Sequence, residues 1–331
     1  MDDARISCFI RCMLDLLSDI LTHLSIKGTL YFRTSFTPSW GVEVPPYENV
    51  ARFHFVHRGS CLVQVAGTAQ EVALAQGDLI IIPHGASHSL YCETTAPDDV
   101  LPLETVLKAS GYTGEGVLVY GGDVSERDTQ LICGHFSFLP GMQHQIIERL
   151  PPYIHIPNYG DSAGRWMEAT LGIIGAEAGS NKLGGDLIAL RMSEVIFAQA
   201  IRMYIENQAS SHSGLSGFAD PYITRSLGEF HKKPAAPWTV ERMAQLAGLS
   251  RTGFAGRFAE KMGVTPMQYV TSWRMQLARN GLINEQMAVA EAAEAVGYAS
   301  ESAFARAFKK EIGMTPAACR MTSTQIAAPL T

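Results

Sequence analysis

The sequence predicts an α+β protein of more than one domain, with a β-rich N-terminal half and an all-helical C-terminal domain. Three observations support this prediction. Short runs of β-branched and aromatic residues, separated by turn residues, fill the region from 28 to 140. Apolar residues then recur at a helical period from 161 to 208. From residue 220 onward every segment is typical of a helix, and this region contains an internal repeat.

The strands predicted in the N-terminal half are short. They cover residues 30–36, 52–56, 62–65, 79–82 and 117–120. Turn sequences such as Arg58-Gly59 and Gly67-Thr68 lie between them. Many short strands at this spacing indicate a sandwich or a small barrel.

The charge of the 331-residue chain is unevenly distributed. The net charge of −6 by itself argues against a nucleic-acid partner. However, residues 222–320 hold 13 Lys and Arg against 8 Asp and Glu, a balance of +5, and the remaining residues hold 13 against 24, a balance of −11. The sequence therefore combines an acidic and a basic domain, and the basic one is suited to contacts with phosphate groups.

Cysteine spacing and hydropathy indicate in which cellular compartment the protein resides. The six cysteines include no Cys-x-x-Cys pair, which favours a reducing environment over a disulfide framework. The apolar stretch from 6 to 24 is interrupted by Arg11, Asp15 and Asp19, so it predicts an amphipathic helix rather than a membrane span or signal peptide. We expect a cytoplasmic protein with no membrane partner.

The C-terminal region contains two copies of one pattern, 50 residues apart. The copies run S-x3-F-x3-F-x4-G-x-T-P from Ser250 to Pro266 and again from Ser300 to Pro316. Each serine is placed to cap a helix, the phenylalanines four apart share one face, and the glycine suits the left-handed residue that ends a helix. A short helix precedes each copy, at 240–246 and 289–295, so each copy completes a helix-turn-helix pattern.

Three stretches of this region resemble the DNA-binding domain of the AraC family of transcription regulators. They are M-A-Q-L-A-G-L-S-R-T-G-F from Met243, G-V-T-P-M-Q-Y-V from Gly263 with Arg274, and the segment from Gly297 to Pro316. The resemblance implies two helix-turn-helix units, a long joining helix at about 267–282 and double-stranded DNA as the partner. A joining helix of this length is roughly 25 Å long, shorter than the roughly 34 Å of one DNA turn, so bent DNA is expected.

By this resemblance, the second helix of each unit enters the major groove. The groove-facing residues are Arg251, Thr252, Ala255 and Gly256 in the first unit, and Glu301, Ser302, Ala305 and Arg306 in the second. Ala255 and Gly256 replace larger polar or basic residues, so we expect Arg306 to make the guanine contact. Phosphate contacts are expected among Arg251, Arg257, Lys309 and Lys310, with a structural role for Arg274.

A second resemblance covers the N-terminal half. The segment from Gly77 to His88 matches G-x5-P-x-G-x2-H, which resembles the second conserved motif of the cupin barrel. His54-Phe-Val-His57-Arg-Gly59 lies where the first motif is expected, and residues 131–138 and 150–154 are similar to the cupin-type sensor of one branch of AraC-like regulators. The resemblance implies a cupin-like β-barrel that senses a small molecule or a metal.

The metal content of this domain is left open by the sequence. The His-x-His pair and the glutamate of the first cupin motif are missing. A substitute set for zinc exists in His54, Cys61, His84 and His88. The alternative is a metal-free domain with an apolar effector pocket, for which Trp40, Phe53, Phe55 and Tyr91 are the candidate lining residues.

The expected organisation follows from these segments. We expect residues 1–160 to form a cupin-like sensing domain with an N-terminal helix, and 161–208 to form a helical pair that dimerises the protein. A linker at 209–219, rich in small polar residues, precedes the DNA-binding domain at 220–320 and a tail at 321–331.

Two functions remain open at this point. The first is a one-component regulator that acts as a homodimer on DNA, binds a small-molecule effector and contacts RNA polymerase if it is an activator. The second is a cupin enzyme with a helical appendage. The incomplete first motif argues against the enzyme, and the sequence has no nucleophile–base pair, phosphate loop or dinucleotide fingerprint.

Overall fold

The computed structural model describes residues 15–24, 26–114, 116–121, 129–138, 144–157, 169–170, 173–174, 176–177, 182–207 and 214–326. The chain divides into two compact units. The β unit comprises Ile26–Leu139 and Leu150–Ile201, and the helical unit comprises Met1–Ser25, Pro140–Arg149 and Arg202–Thr331.

The described part of the β unit contains two sheets. Their strands are β1 (Lys27–Phe36), β2 (Gly41–Val44), β3 (Val50–Arg58), β4 (Cys61–Val65), β5 (Glu71–Leu74), β6 (Leu79–Ile82), β7 (His88–Tyr91), β8 (Leu101–Pro102), β9 (Val117–Tyr120), β10 (Gln130–Ser137) and β11 (Ile154–Ile156). The six-stranded sheet has the order β11-β6-β3-β10-β1-β9, and the five-stranded sheet has the order β5-β4-β7-β2-β8. The β-rich N-terminal half is therefore confirmed, but neither sheet closes into a barrel in the described residues.

The main core of the β unit lies between the two sheets. Val42, Val63 and Leu90 face it from the five-stranded sheet, and Val56 and Leu131 face it from the six-stranded sheet. Helix α2 (Leu103–Ser110) adds the buried Val106 to the same core.

Strand β3 is buried on both of its faces. Its residues from Ala51 to Val56 are all buried. On the face away from the core, the ring of Phe53 stacks on Phe136 at 4.9 Å, and Phe136 contacts Phe197 of helix α4 (Gly185–Asn207) at 4.6 Å. Because side chains alternate along a strand, Arg52 and His54 lie on the opposite face from Phe53 and Phe55.

The described helical unit contains two helices from the first half of the chain, α1 (Leu16–His23) and α3 (Gln145–Glu148). The C-terminal helices are α5 (Pro221–Lys232), α6 (Val240–Ala247), α7 (Arg251–Met262), α8 (Pro266–Ile283), α9 (Val289–Ala295), α10 (Glu301–Ile312) and α11 (Pro316–Ile326). These seven helices confirm the expected all-helical C-terminal domain, and α8 is the joining helix.

Both copies of the repeat fold as the sequence predicts. Ser250 accepts a hydrogen bond from the Gly253 N–H at 3.1 Å, and Ser300 accepts one from the Ala303 N–H at 3.4 Å. The four repeat phenylalanines, Phe254, Phe258, Phe304 and Phe308, are all fully buried. Gly263 and Gly313 end α7 and α10 with φ of 66° and 84°, the left-handed region that favours glycine.

Two predictions fall partly outside the described residues. The N-terminal amphipathic helix is described only from Asp15, and Asp15 caps α1 by accepting from the Ser18 N–H. Most of the first helix of the predicted pair also lies outside the described residues, whereas the second is α4. Within the described ranges, no helix is both long enough and apolar enough to cross a membrane.

Candidate nucleic-acid interface and buried cavity

The second helices of the two helix-turn-helix units, α7 and α10, each present a polar surface. Arg251, Thr252 and Gly256 are exposed on α7, and Glu301, Ser302, Arg306, Lys309 and Lys310 are exposed on α10. Ala255 and Ala305 are half-buried. The predicted groove-facing residues are thus on accessible faces of both helices, because the phenylalanines of each helix occupy the opposite face.

The cations on α7 already have anionic partners. Arg251 forms an exposed ion pair with Glu241 of α6. Arg257 donates from Nε to Oδ2 of Asp220 at 2.8 Å, and its guanidinium lies over the Tyr222 ring at 4.8 Å. A phosphate contact by Arg257 therefore has to compete with this ion pair, and it stays a prediction.

Asp220 joins the start of α5 to α7. Its Oδ1 accepts from the N–H groups of Tyr222 and Ile223, and its Oδ2 also lies 3.4 Å from Nζ of Lys261. Burial raises the pKa of the Asp220 carboxyl, but hydrogen bonds from Arg257 and the α5 backbone outweigh burial, so this pKa lies below its ordinary value.

Arg274 has the structural surroundings that the sequence suggested. From α8 its Nε donates to the Pro234 carbonyl at 2.8 Å, and its Nη2 donates to the Ala236 carbonyl at 2.7 Å. These bonds fix the segment between α5 and α6. Burial lowers the pKa of Arg274, which nevertheless stays charged at neutral pH because guanidinium groups hardly deprotonate in proteins.

A hydrogen-bonded chain of buried side chains also lies in the helical unit. His231 Nδ1 lies 2.7 Å from Asp19 Oδ2 of α1, and His231 Nε2 lies 2.9 Å from the Tyr269 hydroxyl of α8. The same hydroxyl is 3.4 Å from Nε2 of His144, and the Trp273 ring contacts the imidazoles of His144 and His231. Sequence analysis missed this chain because its hydrogen-bonded partners are up to 212 positions apart.

The bonds of this chain define the tautomers of its two histidines. The Asp19 carboxylate only accepts, so His231 Nδ1 carries the proton and its Nε2 accepts from Tyr269. His144 Nδ1 accepts from the Ile146 N–H at 3.1 Å, so its Nε2 is the donor to Tyr269. Burial lowers the pKa of His144 to about 3, and the neighbouring titratable imidazoles of His231 and His23 act in the same direction, so His144 is neutral at neutral pH.

The β unit contains a small cavity of about 30 Å³ between its two sheets. Most of the cavity wall is apolar. The apolar part is formed by Phe36, Trp40, Val42, Val44, Leu90, Leu103, Leu118 and Leu131. The remaining wall residues are Thr34, Arg52, His54 and Cys133. Apolar walls with a few polar groups are typical of small-molecule sites, although this cavity is smaller than the roughly 300–1,000 Å³ of such sites.

Two histidines from different sheets meet beside this cavity. Nε2 of His54, on β3, lies 2.7 Å from Nε2 of His88, on β7. His88 Nδ1 bonds the Ala86 carbonyl at 2.8 Å, and His54 Nδ1 lies 3.1 Å from the Cys133 sulfur. Because a carbonyl only accepts, His88 Nδ1 carries its proton, His54 Nε2 donates to His88, and the Cys133 thiol donates to His54.

Burial determines the protonation state of this histidine pair. It lowers the pKa of His88 to about 4, with a smaller effect in the same direction from the Arg52 charge. Burial also lowers the pKa of His54 well below its ordinary range, and the neighbouring His88 and the Arg52 charge act in the same direction. Burial raises the pKa of the Cys133 thiol. Both imidazoles are therefore neutral and the thiol is protonated.

The structure does not bring the four predicted zinc ligands together. His54 and His88 are in contact, but the exposed His84 uses Nε2 to bond the Leu150 carbonyl at 3.0 Å. Burial raises the pKa of Cys61 to about 12, which disfavours the thiolate that a metal requires. Among the described residues no group of three His, Cys, Asp or Glu side chains is placed to hold a metal ion.

Of the predicted pocket residues, only Trp40 lines the cavity. Phe53 and Phe55 lie on the other face of β3, and Leu90 rather than Tyr91 is the β7 residue in the wall. The Tyr91 hydroxyl instead bonds the Glu71 carboxylate. Sequence analysis missed Thr34, Arg52 and Cys133, although the i, i+2 spacing of Arg52 and His54 is a signal that both lie on one face.

Comparisons with known proteins agree with both halves of this structure. A family model described as Cupin matches residues 15–206, and one described as Helix-turn-helix domain matches residues 243–322. AraC-like transcription regulators of Streptomyces lividans and Streptomyces antibioticus are 33% and 31% identical, each over 92% of this chain and 97% of the relative. The regulator AlkR of Acinetobacter baylyi is 24% identical over 94% of this chain and 100% of its own.

The solved structures include similar helical domains. A DNA-binding transcriptional dual regulator of Escherichia coli K-12 is 25% identical, covers 32% of this chain and 95% of its own, and superposes with a TM-score of 0.30. Fold and sequence together define a two-domain DNA-binding regulator with an N-terminal cupin domain. The chain belongs to the AraC family of transcription regulators.

Proposed function

We propose that this protein is a one-component transcription regulator that binds specific double-stranded DNA through α7 and α10 and responds to a small molecule in the cavity of the β unit. The observation that carries the proposal is the duplicated helix-turn-helix unit, in which each second helix is capped by serine, packed by two buried phenylalanines and exposed on its polar face. This is the geometry that inserts a helix into a major groove.

Within this proposal the two helices contribute unequally to base recognition. Arg306 is exposed and makes no ion pair with the residues that the structure describes, so its guanidinium is available for a guanine. On α7, the cations are engaged by Glu241 and Asp220. We therefore assign most polar base contacts to the second unit.

The cavity favours a small molecule over a metal ion as the effector. The guanidinium of Arg52 acts on both histidines of the His54–His88 pair, and it lowers the pKa of each. A divalent cation at this pair would be repelled by the same charge.

Because the relatives are regulators and the usual cupin ligand set is missing, we expect no catalytic activity.

The exposed face of α4 supports a homodimer. Leu187, Ile188 and Val195 are large apolar residues exposed on this helix, and a spacing of seven to eight residues places them on one face. Sedimentation of the full-length protein tests this part. We expect a dimer that Leu187→Glu weakens, whereas a monomer at micromolar concentration would refute it.

The DNA part of the proposal is tested by selecting bound sequences from a random DNA library with the full-length protein. We expect an enriched motif whose affinity falls steeply with salt. Arg306→Glu should abolish enrichment, and Arg202→Ala, an exposed change on α4, is the matched control that should not. A library without an enriched motif would overturn the proposal. RNA polymerase is a further partner if the protein activates transcription.

A further inference from the structure

We infer that Glu241 is a specificity-determining residue of DNA binding, which holds the guanidinium of Arg251 at the start of α7 and competes with phosphate groups for it. The inference rests on the proposed contact of α7 with DNA. It goes beyond that proposal because Glu241 lies on α6 and is neither a groove-facing residue nor an expected phosphate contact. One cation of the first unit thereby depends on a carboxylate that the second unit lacks.

The ion pair joins the first turns of the two helices of the first helix-turn-helix unit. Glu241 is the second residue of α6, Arg251 is the first residue of α7, and the contact runs from Oε1 of Glu241 to Nε of Arg251. Both side chains are exposed, Glu241 at 54% and Arg251 at 67%. Exposed ion pairs are screened by solvent and salt and contribute little to stability, so this pair can open and exchange Glu241 for a phosphate.

The Glu241 carboxylate is held in place by its own helix. The N–H of Glu241 itself, the Thr239 hydroxyl and the Arg251 guanidinium all lower the pKa of this carboxyl below its ordinary value, because each bonds the charged form. Thr239 also caps α6 by accepting from the Arg242 N–H at 3.2 Å. Glu241 is therefore ionised at neutral pH and is restrained at the positive end of the α6 dipole.

The second unit lacks this pair, although it repeats the same arrangement of two helices. The second residue of α9 is Ala290 and the first residue of α10 is Glu301, so a neutral and an anionic side chain stand in place of Glu241 and Arg251. The exposed cations of α10 form no ion pair within the described part of the chain. The two units therefore present their positive charges to DNA in different states.

On unselected DNA, an Arg251 that is already neutralised contributes little to affinity. Such binding comes almost entirely from cations that displace counterions from phosphates. To contact a phosphate, Arg251 has to leave Glu241, so one ion pair replaces another and the net gain is small. A free cation at the same position would add one phosphate contact wherever the protein lies on the duplex.

At the preferred sequence the same carboxylate is favourable, because base contacts hold α7 in one register. Arginine has five N–H donors, so a guanidinium that is held through Nε keeps the donors on its Nη nitrogens for DNA. Holding the side chain in one orientation before binding also reduces the rotamer entropy that is lost in the complex. Glu241 thus weakens binding to unselected DNA and orients Arg251 for one specific contact.

The test compares Glu241→Gln with the wild type, both as full-length proteins, by fluorescence anisotropy on two labelled duplexes of equal length. One duplex carries the motif enriched from the random library, and the other is a scrambled version of it. For the variant we expect about three- to tenfold tighter binding of the scrambled duplex, and a slope of log affinity against log salt that is steeper by about one. The ratio of motif affinity to scrambled affinity should fall by at least about threefold. An unchanged ratio, or an unchanged salt slope on the scrambled duplex, would overturn the inference.

Two further variants show whether the effect depends on Arg251. In an Arg251→Ala background, Glu241→Gln should change the affinity for either duplex by less than about twofold, because no cation remains to be released. Glu294→Gln, an exposed change on α9, removes the same charge elsewhere and should leave the affinity ratio unchanged. If Glu241→Gln still tightens binding of the scrambled duplex when Arg251 is absent, Glu241 repels DNA in general and the inference fails.

The wild-type measurement separates this inference from the proposed function. A wild type that prefers the motif, with the same preference in Glu241→Gln, refutes the role of Glu241 and leaves the regulator in place. A wild type that binds both duplexes equally refutes the proposed sequence-specific binding itself, and the role of Glu241 with it.

Discussion

Asp220 and Arg257 form an ion pair that links the start of α5 to the middle of α7, with Arg257 Nη2 2.6 Å from Asp220 Oδ2. The same carboxylate caps α5 through its other oxygen. One buried side chain therefore fixes α7 against the rest of the helical unit, since Asp220 is only 3% exposed.

The first prediction separates this structural role of Arg257 from a phosphate contact. Arg257→Ala leaves the buried Asp220 carboxylate without its main partner, so we expect a loss of about 1–3 kcal/mol in the free energy of unfolding. Chemical denaturation measures this loss. Lys309→Ala, an exposed change on α10, is the control and should stay within about 0.5 kcal/mol of the wild type.

The salt dependence of DNA binding tests whether Arg257 also contacts a phosphate group. If Arg257 is structural, Arg257→Ala keeps the slope of log affinity against log salt once the folded fraction is taken into account. A slope that is smaller by about one, with unchanged stability, would make Arg257 a phosphate contact instead.

A second prediction concerns the proposed contacts of α10 with DNA. Arg306→Ala should relax the preference at one base position and cost about 1–3 kcal/mol at the preferred sequence. Lys309→Ala should weaken all sequences evenly and reduce the salt slope by about one. Binding selections with the two variants check both outcomes. An unchanged base preference in Arg306→Ala would contradict its assignment to the groove.

A third prediction uses Gly256 within α7 and Gly263 directly after it, which have opposite roles. A side chain at Gly256 would meet open space, and this residue has ordinary helical backbone, so Gly256→Ala should stabilise the protein by about 0.5–1 kcal/mol. Gly263 ends the helix at φ 66°, and a Cβ there would contact the Arg149 side chain. Gly263→Ala should therefore destabilise the protein, by about 1 kcal/mol or more.

Thermal unfolding of the two glycine variants checks their signs. Because Gly256 lies on the predicted groove-facing side, DNA affinity of Gly256→Ala reports separately on the interface. A destabilised Gly256→Ala would mean that the helix needs glycine for a backbone reason that the structure does not contain.

The features that sequence analysis predicted correctly are local ones. The serine caps, the phenylalanine pairs and the terminal glycines act within one helix, so their spacing alone defines them. The wall of the cavity was harder to predict because both faces of β3 are buried, and apolar alternation then does not tell which face is inside. Phe53 and Phe55 suggested a pocket, whereas Arg52 and His54 form its wall.

Contacts between distant segments carried no sequence signal. The pairing of Asp220 with Arg257 spans 37 positions, and that of His54 with His88 spans 34 positions and two sheets. In each case tertiary packing determines which residues pair, and neither residue spacing nor composition predicts the pair. The predicted zinc set failed to assemble for the same reason, since the turn that holds His84 directs its ring to the Leu150 carbonyl.

A final prediction follows from the neutral state of His144. Burial lowers the pKa of His144 to about 3, whereas an unfolded histidine has its ordinary pKa near 6.5. Between these values the unfolded chain binds a proton that the folded protein does not, so stability is complete above pH 6.5 and is lost as the pH falls toward 3. Between these two pKa values, this residue changes the free energy of unfolding by about 1.4 kcal/mol per pH unit.

His144→Asn isolates this contribution. Asparagine is a good helix cap that can still accept from the Ile146 N–H, but it does not titrate. We expect denaturation midpoints of the wild type to fall between pH 7 and 5 more steeply than those of His144→Asn, since protonation of His144 breaks the cap and adds a charge beside His231. The stability of the variant still falls with pH, but less steeply, because other buried histidines such as His54 and His88 also have lowered pKa values. Equal slopes in both proteins would show that His144 is already protonated, or solvated, in the folded state.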